Sequence, residues 1–268
     1  HPFSLIMDGD EVKFLIKGKN GITKRLINKM RNMPQGRCTE RILIEGFYGE
    51  YSTAYAYDQV LIIAGGNGIV GLYEYIKDIN EKKCQGKSRT KYVKFYWVIR
   101  HWRSIDWLYP ELKKLQELDY VQPIIYVTKY SDYKIGDRFS YNNSYDSSKE
   151  SSLTAKLIEI PEAPKEDAAE EISSHDKSAV TAETTEIVVD VQEFSDRIKK
   201  DLPHVEFRSE RPDVKQLIHD DIQEAGPHDN VAVLSCAINQ MCDDIRQGVA
   251  QEVSSPRSGR IDLVELLQ

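Results

Sequence analysis

Val60-Leu61-Ile62-Ile63-Ala64-Gly65-Gly66-Asn67-Gly68-Ile69-Val70-Gly71 is the stretch that decides the fold. An unbroken apolar run is what a strand covered on both faces needs; a half-exposed strand alternates apolar with polar residues. Glycines follow at once, and from Leu72 to Asn80 the apolar residues recur with the period of a helix. Strand, glycine turn and helix in that order are the context in which a G-x-G-x-x-G-like pattern acquires meaning. Glycine lets the backbone approach a pyrophosphate, whose charge then rests on free N–H groups at the helix N-terminus. A tight strand–helix turn with no ligand uses the same residues, so the pattern alone leaves both readings open.

Downstream, the rhythm continues. Tyr92 to Ile99 is β-branched and aromatic, a second strand. Trp107 to Leu118 sets Leu108, Leu112, Leu115 and Leu118 at helical spacing, and Ile124 to Thr128 is a third strand. Val205 to Arg208, a helix from Asp213 to Ala225, the strand Val231 to Ser235 and a helix from Met241 to about Ala250 follow. This order predicts an α/β fold with a doubly wound parallel sheet over residues 58–268. Residues 1–57 lack the rhythm. Their short alternating stretches, Glu11 to Ile16 and Arg41 to Glu45, read as part of an antiparallel β-barrel.

Between Lys149 and Asp190 there are 4 basic and 11 acidic residues, as large an excess as the formal charge of −7 carried by all 268 residues. Ser, Thr, Glu, Ala and Lys dominate that segment, too little apolar surface to offset its ordering entropy. It reads as a disordered acidic insertion at about 137–190. The acidic balance argues against a nucleic-acid partner, which needs clustered Lys and Arg. Cys38, Cys84, Cys236 and Cys242 form no CxxC pair, which fits a reducing compartment better than a disulfide framework. The six histidines show no ligand spacing, so no metal or haem is expected in this chain. No apolar run reaches the length of a membrane helix. The opening on His1, without an initiator Met or a basic leader, suggests a piece of something longer.

The end of the second strand sharpens the glycine loop. An NAD-specific fold usually places an acid there for the ribose 2′-hydroxyl. Here the strand runs into Arg100-His101-Trp102-Arg103. Cations suit a 2′-phosphate, which favours NADPH over NADH; solvated loop charges would look the same.

Five separated segments, in order, resemble the dehydrogenase region of the yeast-type ferric/cupric reductases and the related NADPH oxidases. They are His1-Pro2-Phe3-Ser4, Glu45-Gly46-Phe47-Tyr48-Gly49, the glycine loop, Phe95-Tyr96-Trp97-Val98-Ile99-Arg100, and Leu234-Ser235-Cys236. The resemblance implies FAD and NADPH as cofactors, with haem only in a membrane part absent from this chain. It implies that His1, Pro2, Phe3 and Ser4 form the flavin motif, with Ser4 as hydrogen-bond partner of flavin N5. Gly21-Ile22-Thr23-Lys24 is similar to the segment meeting the FAD pyrophosphate, with main-chain N–H groups and Thr23 as donors. Gly46, Tyr48 and Gly49 match the turn that sets the nicotinamide-side loop against the flavin; Phe47 stands where proline is usual. Gly65, Gly66, Asn67, Gly68 and Ile69 correspond to the NADPH pyrophosphate loop, and Arg211-Pro212 to a Gly-Arg-Pro segment with Glu210 replacing glycine. Cys236 matches the cysteine of a Cys-Gly-Pro motif near hydride transfer, and here Ala237-Ile238 replaces Gly-Pro.

The implied activity is NADPH-dependent reduction of ferric or cupric chelates through FAD and membrane haems, at the cytosolic face of a membrane, with the plasma membrane expected. The membrane haem domain of the same longer chain is the implied partner. A superoxide-producing NADPH oxidase has the same fold and differs in its acceptor; the yeast-like flavin and glycine motifs favour the reductase. A non-catalytic nucleotide-binding module is the reading that the Ala237-Ile238 departure favours.

Overall fold

The computed structural model describes residues 3–16, 18, 20–33, 38–46, 53–129, 138–141 and 187–266. Strands β1 (Leu5–Asp8) and β2 (Glu11–Phe14) pair antiparallel. They are followed by helix α1 (Ile22–Arg31). Then come β3 (Gln59–Gly65), α2 (Ile69–Cys84), β4 (Tyr92–Ile99), α3 (Tyr109–Lys114) and β5 (Val121–Val127). Strands β6 (Arg138–Tyr141) and β7 (Ile187–Asp190) pair antiparallel at the two ends of the acidic stretch. The chain continues through α4 (Val191–Asp201), β8 (Glu206–Arg208), α5 (Val214–Glu224), β9 (Val231–Cys236), α6 (Asn239–Val253) and β10 (Ile261–Glu265).

Six strands make one sheet in the order β10-β9-β3-β4-β5-β8, and every neighbouring pair is parallel. The chain starts in the middle at β3, walks outward to β8, then returns to the other side of β3 for β9 and β10. The doubly wound sheet therefore follows, with its switch point between β3 and β9. Alternation along β3 explains why both faces are filled. Val60, Ile62 and Ala64 pack into a core shared with α2, α3 and α4, including Leu72, Ile76, Leu112 and Phe194. Leu61 and Ile63 point the other way, against Ile218, Ile222, Ile245 and Val249 of α5 and α6. Full burial of each such side chain contributes roughly 1.5–3 kcal/mol.

The opposite face of β4 carries a charge in this core. Lys94, 8% exposed, places Nζ 2.6 Å from Asp221 Oδ1, and Tyr96 OH donates to Asp221 Oδ2 at 2.8 Å. Burial raises the Asp221 carboxyl, and the hydrogen bonds from Lys94 and Tyr96 pull it back.

Several elements depart from the sequence expectation. The helix expected over Trp107–Leu118 is broken: a 3-10 turn spans Trp102–Trp107, α3 begins with Pro110 in its first turn, and a second 3-10 turn spans Leu115–Glu117. Proline is tolerated at a helix start and not in its interior, so the helix begins there. Arg41 to Glu45 joins no sheet among the described residues, and Leu43 is fully exposed at 101%. The expected insertion at 137–190 has both ends in paired strands; its residues 142–186 lie outside the described residues. Among the described residues no helix is long and apolar enough to cross a membrane. No group of three or more His, Cys, Asp or Glu among them could hold a metal ion.

Candidate nucleotide site at the sheet switch point

Parallel strands end on one edge, and the crevice beyond the carboxyl ends at a switch point is where open α/β sheets bind ligands. Here that edge gathers the glycine loop after β3, Cys236 at the end of β9, Arg100 after β4, Arg208 at the end of β8 and Arg211 after it. Register makes the closeness specific: Ala64 pairs with Cys236 and Gly65 with Val98.

Gly65 is extended, φ −108°, so its value lies in space, not in backbone freedom. A Cβ on it would lie 3.0 Å from Ala237 Cβ and 3.2 Å from Ala237 Cα. Gly66 does need glycine, with φ 55°. Its carbonyl accepts a 2.7 Å hydrogen bond from Trp97 Nε1 of β4, so a wholly buried indole on the neighbouring strand holds the loop. Residues Gly66–Gly68 make one 3-10 turn before α2 opens. No side chain caps α2, and its first turn contains no acid. No carboxylate of that turn therefore competes with an anion for its positive dipole end. The Gly65–Gly68 loop thus opens onto a helix start suited to an anion.

Ser4 comes to the same place. A Cβ on Gly71, in the first turn of α2, would lie 3.3 Å from Ser4 Oγ and 3.3 Å from Leu266 Cδ1. Ser4 is exposed, and Phe3 sets its ring edge-on to Phe14, centroids 6.4 Å apart. Leu266 is held there because its N–H donates to the Ser235 carbonyl at 2.8 Å. Ser4, expected to face a flavin, thus lies against the first turn of α2, two residues beyond the loop expected to hold NADPH.

A second uncapped helix start lies at α1. Gly21 is its N-cap with φ 89°, no side chain caps it, and no acid occupies its first turn. Gly21 and Thr23 therefore stand at a helix N-terminus suited to a phosphate. Gly46 has φ 128°, a turn conformation that glycine alone takes without strain. His1, Pro2, Tyr48 and Gly49 lie outside the described residues.

Beyond β4, Arg100 is exposed and Arg103 half-buried in the turn Trp102–Trp107. Asp106 shares that turn: burial pushes its carboxyl up to about 6, against the pull of Arg103 and Arg197. Arg211, exposed, lines an open depression of ≈ 380 Å³ with Pro212, Asp213, Lys215 and Asp244. Asp213 caps α5, accepting from the N–H groups of Lys215 and Gln216 at 3.1 and 3.2 Å. Here the cation, not the helix start, is available to an anion.

Three contributors escaped the sequence reading. Arg208 donates to Tyr126 OH at 2.6 Å and to Glu206 at 2.7 Å, and its guanidinium lies 5.4 Å from the Tyr126 ring centroid. Trp97 stood in one of the five matching segments, but its hold on the glycine loop was not legible there. Cys242, on the first turn of α6, is 4% exposed and donates to the Ala237 carbonyl at 3.4 Å, and burial raises its thiol. Cys236 itself is buried, 3% exposed, at the end of β9. The turn between them is where Ala237-Ile238 departs from Gly-Pro: Ala237 is buried against Gly65 and Ile238 is 58% exposed.

Comparison with known proteins gives one consistent result. The family model for the ferric reductase NAD binding domain matches residues 57–250. Over its whole length the chain is 29% identical to a probable ferric reductase transmembrane component of Candida albicans, of which it covers 34%. It is 29% identical to ferric/cupric reductase transmembrane component 1 of Candida albicans strain SC5314, covering 30% of that protein. Ferric reductase transmembrane component 4 of Saccharomyces cerevisiae is 24% identical, with 34% covered. The chain spans about a third of the length of these curated relatives.

Proposed function

This chain belongs to the ferric reductase NAD-binding domain family, and from that premise we propose that it is the electron-input region of a membrane metal reductase. In this reading it holds NADPH and FAD in one cleft and feeds haems in the membrane part of a longer chain, for reduction of ferric or cupric chelates. The observation that carries the reading is the meeting of Ser4 with Gly71 in the first turn of α2. A flavin against Ser4 and a nicotinamide nucleotide on the Gly65–Gly68 loop would be brought together by the fold itself.

Bound there, FAD supplies the step a nicotinamide does not readily make, taking up a hydride and giving electrons singly. The chain's own residues bind and orient. The N–H groups after Gly65 take the NADPH pyrophosphate. Arg100 and Arg103 hold the 2′-phosphate, with Arg211 as a further contact, and this sets the preference for NADPH. Gly21 and Thr23 take the FAD pyrophosphate at the start of α1. Ser4 would hydrogen-bond flavin N5, and Cys236, at the end of β9, would stand near the site of hydride transfer. Residues 1–57 then form the end of the FAD-binding barrel and 58–268 the NADPH-binding domain. The transmembrane relatives support a place at the cytosolic face of a membrane, the plasma membrane for an enzyme of metal uptake.

The test is NADPH-dependent reduction of ferricyanide by purified protein reconstituted with FAD. Activity that requires both cofactors supports the reading. No nucleotide binding and no reduction with added FAD would leave a non-catalytic module.

A further inference from the structure

Residues 12–41 contain nine Lys or Arg and a single acid, Glu40, in a chain whose overall charge is −7. The remainder is therefore more acidic than the whole. Helix α1 lies inside this basic stretch and is amphipathic. Ile27 and Met30 are buried on one face. Arg25 and Lys29 are exposed on the opposite face, and Lys24 and Arg31 are exposed at the flanks of the buried stripe. Ile22, on the same face as Arg25 and Lys29, and Met33, just past the end of the helix, remain 55% and 40% exposed. Lys29 pairs with Glu40, so the one acid of the stretch is already taken by a cation.

We propose that the exposed face of α1 is a docking surface for an anionic phospholipid bilayer. The inference rests on the reading that the chain works at a membrane, and charge complementarity selects the occupant. A cluster of cations on an amphipathic helix is attracted to an anionic leaflet by roughly five-fold in partition for each Lys or Arg near the surface. The protruding Ile22 and Met33 add apolar contact at headgroup depth, as interfacial helices do. Because the rest of the chain is acidic, the same leaflet repels it. Attraction on one side and repulsion elsewhere fix orientation as well as binding, turning α1 toward the bilayer.

The test is co-sedimentation of the chain with phosphatidylcholine vesicles, with and without phosphatidylserine. The expected result is binding that needs phosphatidylserine and fades as salt rises and the Debye length contracts. Arg25→Glu/Arg31→Glu should cut the partition at least ~25-fold, and Arg25→Gln/Arg31→Gln should give most of that loss with the helix kept. Equal partition onto both vesicle types, or glutamine-variant binding equal to wild type, overturns the proposal. So does release of the vesicles by saturating free FAD, which would assign these cations to the dinucleotide. Flavin uptake by the same samples is a separate readout: a chain that takes up no FAD yet binds phosphatidylserine defeats the flavin reading and leaves the docking surface standing.

Discussion

Gly65→Ala probes the switch point most sharply, because the backbone gives it no reason to fail. At φ −108° and ψ 120° any L residue is at ease. The cost is steric alone: the new methyl would sit 3.0 Å from Ala237 Cβ and 3.2 Å from Ala237 Cα. Both are atoms of a turn locked to its neighbours, so the ends of β3 and β9 must part by a few tenths of an ångström. Overpacking of this kind costs about 2 kcal/mol, or about 4–8 °C in Tm for a chain of this size. Most of the clash is with one methyl, and Ala237→Gly removes it. Thermal and urea unfolding of the four proteins of the cycle should give a coupling of about 1 kcal/mol or more, with Gly65→Ala much less costly in the Ala237→Gly background than in the wild type. Equal costs in both backgrounds would refute the argument that these strand ends touch. NADPH affinity, measured alongside, should fall for Gly65→Ala and recover in the double variant.

Other outcomes follow from the same structure. Arg100→Glu should raise the Michaelis constant for NADPH about 10- to 100-fold, the worth of one charged phosphate contact; an equal change for NADH would remove the 2′-phosphate assignment. Asp106, held up to about 6 against 3.8 unfolded, binds its proton more readily when folded. Its contribution to stability therefore falls as pH rises from about 4 to 6, by up to roughly 3 kcal/mol. Asp106→Asn should thus gain stability over wild type at pH 7.5 and not at pH 4, read by urea unfolding at both. Lys94→Met strands the buried Asp221 carboxylate and should cost about 3–5 kcal/mol, while Lys94→Met/Asp221→Asn should recover much of it.

How much was legible depended on how far local pattern and burial agreed. Val60 to Gly71 declared strand, turn and helix because β3 is covered on both faces and α2 starts without a capping side chain. Helix α1 was read only as a phosphate-binding segment, since Gly21 offers none of the Ser, Thr, Asp or Asn caps that announce a helix. Helix α4 adjoins the acidic stretch, whose composition masked Val191, Phe194 and Ile198 at core spacing. The site's residues were placed through resemblance, and their meeting was not readable in the chain: Ser4 and Gly71 are neighbours only because the hairpin of β1 and β2 lies against α2, where Met7 N–H donates to Glu74 at 3.0 Å. Arg208 carried no motif and Trp97 only a matching segment without a role; both acquire one once the strands of the sheet lie side by side.

The central claim is that one cleft holds both cofactors so that NADPH reduces the flavin directly. Anaerobic stopped-flow mixing of the FAD-loaded protein with NADPH tests it, followed through the visible absorbance of oxidised flavin. Rapid bleaching by NADPH, slower bleaching by NADH, and return of the band when ferricyanide is added are expected. A flavin that binds and stays oxidised under excess NADPH would contradict it.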